Sequence, residues 1–377
     1  MLSRINSRLL SVIVLLPIMI ACRRTTTHPN STMQLRLDAG ATILVDAVPT
    51  LRLSPPAADG RSEGFGEVRG AATLHDGSIA VVDADVPAGF VFSAEGTLSG
   101  TFGRGGAGPG EFREPVLVGV IGDTIIVYDP PQRRLQRFLI SGAHLSTVEL
   151  PPIPGSTLLI YALRDGAVLL KRTQFTASPG PDGLVPAVGQ LLRVEPASGR
   201  MDTLATETDG LWLPRGFRFF SWQFLVSADD SVVWLGRGDR SLVTRMTQQG
   251  QSKTSCSWDA SRRAVTDQDR AAATTFAQTM RAAPDMTAPD RFSDSMPVFS
   301  RLMNDPTGGV WVVAASPPGA TPDSAWRVDP ACKSIAPIDL PVGFRLLEVG
   351  PTHILGVLEA EDGATQVVRF AITRKTS

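Results

Sequence analysis

Asparagine is nearly missing from this chain: 377 residues include three, Asn6, Asn30 and Asn304. Histidine is almost as scarce, with His28, His75, His144 and His353 far apart in the sequence. Zinc and transition-metal sites are built mainly from imidazole and thiolate groups, and neither clusters here, so no metal site and no cofactor are expected. Lysine occurs four times (Lys171, Lys253, Lys333, Lys375) and cysteine three times. Neither sign of charge dominates, since 36 basic residues face 37 acidic ones for a formal net charge of −1. A basic surface for nucleic acid is therefore not expected. A G-x-S-x-G nucleophile elbow is absent, and no catalytic residue is assigned. Helical periodicity is missing as well, except over 259–287.

The N-terminus has the order of a secretory signal. Arg4 and Arg8 precede an apolar run from Leu9 to Ile20, which is too short to cross about 30 Å of hydrocarbon comfortably. Its end, Met19-Ile20-Ala21-Cys22, resembles a bacterial lipobox, in which a small residue precedes the cysteine that becomes the lipidated N-terminus. Lipoboxes prefer Leu where Met19 stands. The resemblance implies a signal over 1–22, lipid attachment at Cys22 and a flexible polar tether over 23–40. Residue 23 is Arg rather than the Asp that retains enterobacterial lipoproteins at the inner membrane, which favours the outer membrane, facing the periplasm or the cell surface.

What the chain does have is glycine (35) and proline (29) without a collagen period, as suits many short strands joined by turns. A phrase recurs. Leu74-His-Asp-Gly-Ser-Ile-Ala-Val-Val-Asp83 returns as Ile121-Gly-Asp-Thr-Ile-Ile-Val-Tyr-Asp129. Ile79 to Ile125, Asp83 to Asp129 and Gly96 to Gly142 are each 46 residues apart. Weaker copies start their apolar runs at Val168, Val232, Val310 and Ile354. Two steps are long. The loop Ala177 to Gln190 is expected to account for the first, and a helix within 259–287 for the second. There Thr266 can cap the helix with Asp269, and Ala272, Phe276, Met280 and Ala283 share a face.

Six units of about 45 residues, each with four short strands, predict an all-β fold. The expected fold is a six-bladed β-propeller over 41–377, with one short helical insertion between blades four and five. The last copy supplies three strands, so Leu51-Arg-Leu53, with Ile43-Leu-Val45 as companion, is expected to complete it.

The stretch Phe102 to Pro115 sharpens this reading. Gly103, Gly105 and Gly108 satisfy G-x-G-x-x-G, but a dinucleotide site needs a helix directly afterwards, and Pro109 and Gly110 follow instead. Phe102-Gly103, Gly108-Pro-Gly-Glu-Phe112, Pro115, Asp129, Arg134, Gln136 and Phe138 together resemble an NHL repeat, in the form found in six-bladed β-propeller bacterial lipoproteins. Such propellers range from binding platforms to lactonases and an amidating lyase, so fold alone does not assign function. A lactonase-like site would hold calcium with Glu, Asn and Asp, which the dearth of asparagine disfavours. The reading that results is a monomeric envelope propeller that binds or scaffolds a protein or small ligand. The alternative is a propeller hydrolase or lyase with a central-channel site.

Candidate site residues are few. Arg215, Arg218 and Trp222 lie in the aromatic stretch Trp212 to Trp222 and could form a stacking or anion-holding surface, or merely pack between blades. Cys256 and Cys332 are either bridged or two separate thiols. Asp83, Asp129 and Asp329 read as turn acceptors, His75 and His353 as solvated turn residues, and Trp234 and Trp311 as blade core. Arg237-Gly238-Asp239 falls in a hairpin of blade four.

Overall fold

The second strand of each repeat is almost wholly apolar because both of its faces are covered by neighbouring sheets. In Ile79–Asp83 every residue is buried, and alternate side chains serve different neighbours. Ile79 and Val81 pack with Leu355 and Val357, whereas Ala80 and Val82 pack with Ile125 and Val127. The pattern continues around the ring, with Ile126 against Val168, Leu169 against Val233, Trp234 against Val312, and Trp311 against Ile354. Each contact is an inter-blade core, and six of them close a circle.

The computed structural model describes residues 31–37, 42–55, 64–175, 178–213, 218–251, 253–279, 291–360 and 363–375. The chain is a six-bladed β-propeller of antiparallel blades. Blade one holds Val68–Thr73, Ile79–Asp83, Ala88–Phe92 and Leu98–Phe102. Blade two holds Val116–Ile121, Thr124–Asp129, Arg134–Leu139 and His144–Glu149, and blade three holds Ser156–Ala162, Val168–Phe175, Val185–Glu195 and Arg200–Trp212. Blade four is built from Phe224–Ala228, Val233–Arg237, Leu242–Met246 and Thr254–Ser257. Phe299–Asn304, Val310–Ala314, Ser324–Val328 and Ser334–Asp339 make blade five. The first strand of each blade is innermost and touches its counterparts on both sides, including Arg345–Val349 of blade six against Val68–Thr73.

Blade six closes the ring with both ends of the chain. After Arg345–Val349 and His353–Glu359, the long strand Thr365–Lys375 pairs antiparallel with Leu51–Leu53 and with Thr42–Val45. Upstream, Ser31–Gln34 adds in parallel to Thr254–Ser257 of blade four, and Arg36–Leu37 to Ser334–Asp339 of blade five. The N-terminal segment is thus a belt along the outer edges of blades four, five and six. Residues 31–37 were expected in a flexible tether, and the structure corrects this. Outer strands present unpaired N–H and C=O groups, which the belt's backbone pairs while Leu35 is buried against blades four and five. Residues 1–30, with Cys22, lie outside the described residues. Where the belt crosses from blade four to blade five, Cys256 and Cys332 are joined by a disulfide with Cα atoms 5.3 Å apart, beside buried Leu35.

Blade three departs from expectation. Its extra length lies less in the loop after Phe175 than in its strands, which run to Phe175, from Val185 to Glu195 and from Arg200 to Trp212. Hairpins that extend one another's ladders need no core of their own. The insertion between blades four and five is the helix Asp267–Thr279. Thr266 Oγ1 accepts from Asp269 N–H (3.2 Å) while the Asp269 carboxylate accepts from Thr266 N–H (2.8 Å), a reciprocal cap. The buried stripe is Asp269, Ala273 and Ala277 with Phe276 beside it, one position over from the expected face. It packs on Phe219, Phe220 and Phe292, partners that periodicity along one segment cannot reveal. Met280 and Ala283 lie outside the described residues.

The glycine-rich stretch crosses from blade one to blade two. A Cβ at Gly89 would sit 2.0 Å from the Phe102 ring, and one at Gly103 (φ +67°) 2.0 Å from Phe112. Those absences let Phe102 and Phe112 pack on Phe138, with ring centroids 5.2 and 5.5 Å away.

Candidate functional site

Blade-to-blade crossovers and the hairpins between second and third strands share one face of the propeller. The glycine-rich crossover there supplies its own anion. Glu111 Oε2 accepts from Ala107 N–H (3.0 Å) and Gly108 N–H (2.8 Å), and Arg104 donates to Oε1 (2.8 Å). The Gly108 and Arg104 hydrogen bonds hold the Glu111 carboxyl below its usual range. Gly110 N–H donates to Gln136 (2.6 Å) and Arg113 N–H to Asp129 (2.6 Å). With these amides occupied, the loop is no phosphate cradle. Asp83 does for Gly66 and Glu67 what Asp129 does for Arg113, so these two aspartates pin the approach to the innermost strands of blades one and two. Asp329 accepts from Ala331 N–H (2.8 Å) in its own turn.

A groove of about 220 Å³ runs between blades three and four. Phe224 and Leu235 provide apolar surface, Thr206 and Glu207 come from the last strand of blade three, and Arg237, Arg240 and Lys253 come from blade four. Buried Asp209 fixes Phe224 by accepting its N–H (2.6 Å), and also accepts from Thr173 Oγ1 (2.6 Å) and Lys171 Nζ (3.0 Å). Burial lowers the Lys171 pKa against the pull of Asp209. Arg237 is held flat: its guanidinium lies 4.7 Å from the Trp222 ring centroid and grips Asp239 through two bonds of 3.0 and 2.6 Å. The tripeptide Arg237-Gly238-Asp239 is therefore folded onto itself. Arg240 reaches Asp239 at 3.7 Å and remains half exposed, and Lys253 is exposed. Three cations against Glu207 and Asp239 suit an anionic or hydrogen-bonding ligand.

Among the residues singled out from sequence, Trp222 backs this groove through Arg237. Arg218 is not in its wall, and its Nε is buried without a partner among the described residues. Arg215 lies outside the described residues. Phe219 and Phe220 pack under the helix rather than facing a ligand. Glu207, Arg240 and Lys253 were missed, because they sit on one strand of blade three and two separate hairpins of blade four and come together only when the blades do.

Compared with known proteins, the chain matches no protein-family model and no curated protein sequence. Solved structures resemble it in fold. A member of the DUF4221 family from Bacteroides vulgatus is 11% identical with a TM-score of 0.54, covering 89% of this chain and 99% of that one. A protein of Bacteroides fragilis described as exported is 12% identical with a TM-score of 0.50, covering 92% of this chain and 99% of that one. At these identities the likeness is one of architecture.

Elsewhere, His353 is not the solvated turn residue expected. Its side chain is 14% exposed, with Nε2 3.0 Å from Thr73 Oγ1 and 3.6 Å from Glu348. Thr73 donates both its hydroxyl (2.7 Å) and its N–H to Glu348, which ties blade six to blade one. The hydroxyl proton is committed to the carboxylate, so the trio reads as a staple rather than a nucleophile with its base. His75 is exposed, with Nδ1 2.6 Å from Asp123. Among the described residues no three His, Cys, Asp or Glu side chains converge as for a metal ion. Trp234 and Trp311 are fully buried in the inter-blade cores.

Proposed function

We propose that this propeller is a lipid-anchored module of the bacterial cell envelope that binds or scaffolds a protein or small ligand through the groove between blades three and four. The groove carries the reading: it gathers Arg237, Arg240 and Lys253 at a junction of two blades, with Arg237 held from behind by Trp222. Arginine is among the residues that binding hot spots use most. Capture from envelope extracts tests it, comparing the wild-type chain with an Arg240→Glu, Lys253→Glu variant whose changes fall on exposed side chains. Partners should be recovered roughly tenfold less by the variant, since reversing charges opposes an anionic surface. Equal recovery by both would sink the groove as the binding surface.

The anchor is part of the proposal. The NHL-like glycine-rich crossover, the lipobox-like end at Cys22 and Arg23 after it support an outer-membrane lipoprotein. Structural likeness to a protein described as exported agrees with such a location. Eight residues lie between Cys22 and Ser31, the start of the belt. At about 3.3–3.6 Å per extended residue they span at most about 30 Å, so the rim at blade four would stay near the membrane. Mass spectrometry of the mature N-terminus should find acyl chains on Cys22; a free, unmodified terminus would refute the anchor.

A further inference from the structure

Arg301 and Arg345 stand near the start of the innermost strands of blades five and six, 44 residues apart, the same step as from Val310 to Ile354. They occupy equivalent places, Arg301 opposite Val313 and Arg345 opposite Val357 across their hairpins. Each reaches toward the next blade. Arg301 Nη1 donates to the Leu346 carbonyl (2.6 Å), and Arg345 Nη2 to the Val68 carbonyl (2.9 Å). Among the described residues neither has a carboxylate within ion-pair distance. Glu67 acts on Arg345 from further away and is already paired to Arg69 at 2.9 Å.

Both arginines line a cavity of about 210 Å³ between blades five and six, whose walls include Val313, Leu340, Phe344 and Ser300. At about 30 Å³ per water, this holds roughly seven water volumes. Arg301 and Arg345 both keep exposed side-chain surface where they border the cavity. Desolvation by the surrounding protein and the neighbouring Arg345 push the Arg301 pKa down to about 10, so it is still charged at neutral pH. Two cations border one space with no carboxylate at ion-pair distance, which leaves both guanidinium groups available to an anion.

We propose that this cavity binds a small carboxylate with an apolar body, gripped by Arg301 and Arg345 and seated against Phe344 and Leu340. Guanidinium forks match a carboxylate in geometry, each arginine retains N–H groups beyond the one given to a carbonyl, and the apolar wall rewards a hydrocarbon rather than an inorganic ion. A free carboxylic acid and the C-terminal carboxylate of a peptide offer the same chemistry.

The test titrates the full chain with hexanoate, with a short peptide ending in a free leucine carboxylate, with that peptide amidated, and with inorganic phosphate. Hexanoate or the free-carboxylate peptide should bind and raise the melting temperature, and which of them does so identifies the source. Arg301→Gln and Arg345→Gln should each weaken that binding roughly tenfold or more, the loss expected for a hydrogen bond to a charged group. Without ligand, Arg301→Gln should leave the melting temperature unchanged or raise it by relieving repulsion, whereas a purely structural arginine would lower it. Equal binding by wild type and both variants, no binding of either carboxylate, or equal binding of the amidated peptide would overturn the proposal. The cavity shares no residue with the groove between blades three and four, so failure here leaves that reading standing.

Discussion

Removing residues 40–56 should lower the melting temperature by roughly 10 °C or more, with a less cooperative transition, as followed by circular dichroism or calorimetry. The segment includes Thr42–Val45 and Leu51–Leu53, both paired along Thr365–Lys375. Ile43 is buried among Phe344, Phe370 and Ile372, and Leu53 among Phe65, Phe92 and Val367. Burying such a side chain contributes about 1.5–3 kcal/mol. Two of them, together with the lost ladder, approach the total stability of about 5–15 kcal/mol typical of a folded domain. The loss would also bare Val367 and Ile372 on an open edge. Leu53→Ala is the finer version, expected to cost about 2–5 kcal/mol. A deletion variant melting like the wild type would mean that the ring does not need its N-terminal strands.

Asp305→Ala should cost about 3–5 kcal/mol, the usual penalty for breaking a buried pair from one side. Asp305 is fully buried and accepts from Arg327 Nε (2.5 Å), both terminal nitrogens of Arg374 (2.9 and 3.1 Å) and Thr307 (2.8 and 2.9 Å). Because Arg374 belongs to Thr365–Lys375, this carboxylate clamps blade five to the strand that closes the ring. Asp305→Asn keeps the shape but loses the charge, and should fall between alanine and wild type. Burial by itself would raise the Asp305 pKa, but hydrogen bonds from Arg374, Thr307 and Arg327 outweigh it and hold the pKa below the carboxylate value. A depressed folded-state pKa means the stabilisation is fully present above the unfolded value of about 3.9, and is lost as pH falls through the folded pKa. The gap between wild type and Asp305→Asn, measured by urea unfolding at several pH values, should therefore be constant near neutrality and shrink in acid. A gap that does not change down to acid pH would show that the charge is not what Asp305 contributes.

Residues explain how much of this was legible beforehand. The 46-residue register of Ile79 with Ile125 and Asp83 with Asp129 announces a repeating sheet, because each blade solves the same burial problem with the same side chains. Thr266 and Asp269 announce a helix start, because capping is local. Leu51–Leu53 could be placed because the last blade is one strand short. The belt at 31–37 alternates Met33, Leu35 and Leu37 with polar residues as a strand does, but that alternation does not name the outer edges of blades four and five as its partners. His353 also misled, since a turn position gives no notice that Glu348 and Thr73 will cover it. Arg301 and Arg345 did leave a trace, their blade-length spacing of 44 residues, but spacing alone does not say that both arginines lack a counter-ion.

The glycine-rich crossover divides the two kinds of information. Its chain chemistry already excludes a nucleotide fold, since Pro109 and Gly110 stand where a helix would have to begin. Only the folded ring decides that Glu111, Gln136 and Asp129 occupy the amides of Ala107, Gly108, Gly110 and Arg113, while charges from separate segments converge in the groove and in the arginine-lined cavity. Blade count, turn chemistry and the helix cap depend on contacts within about one repeat and can be read along the chain. Sites depend on which side chains two neighbouring blades bring face to face, and that is set by closure of the circle.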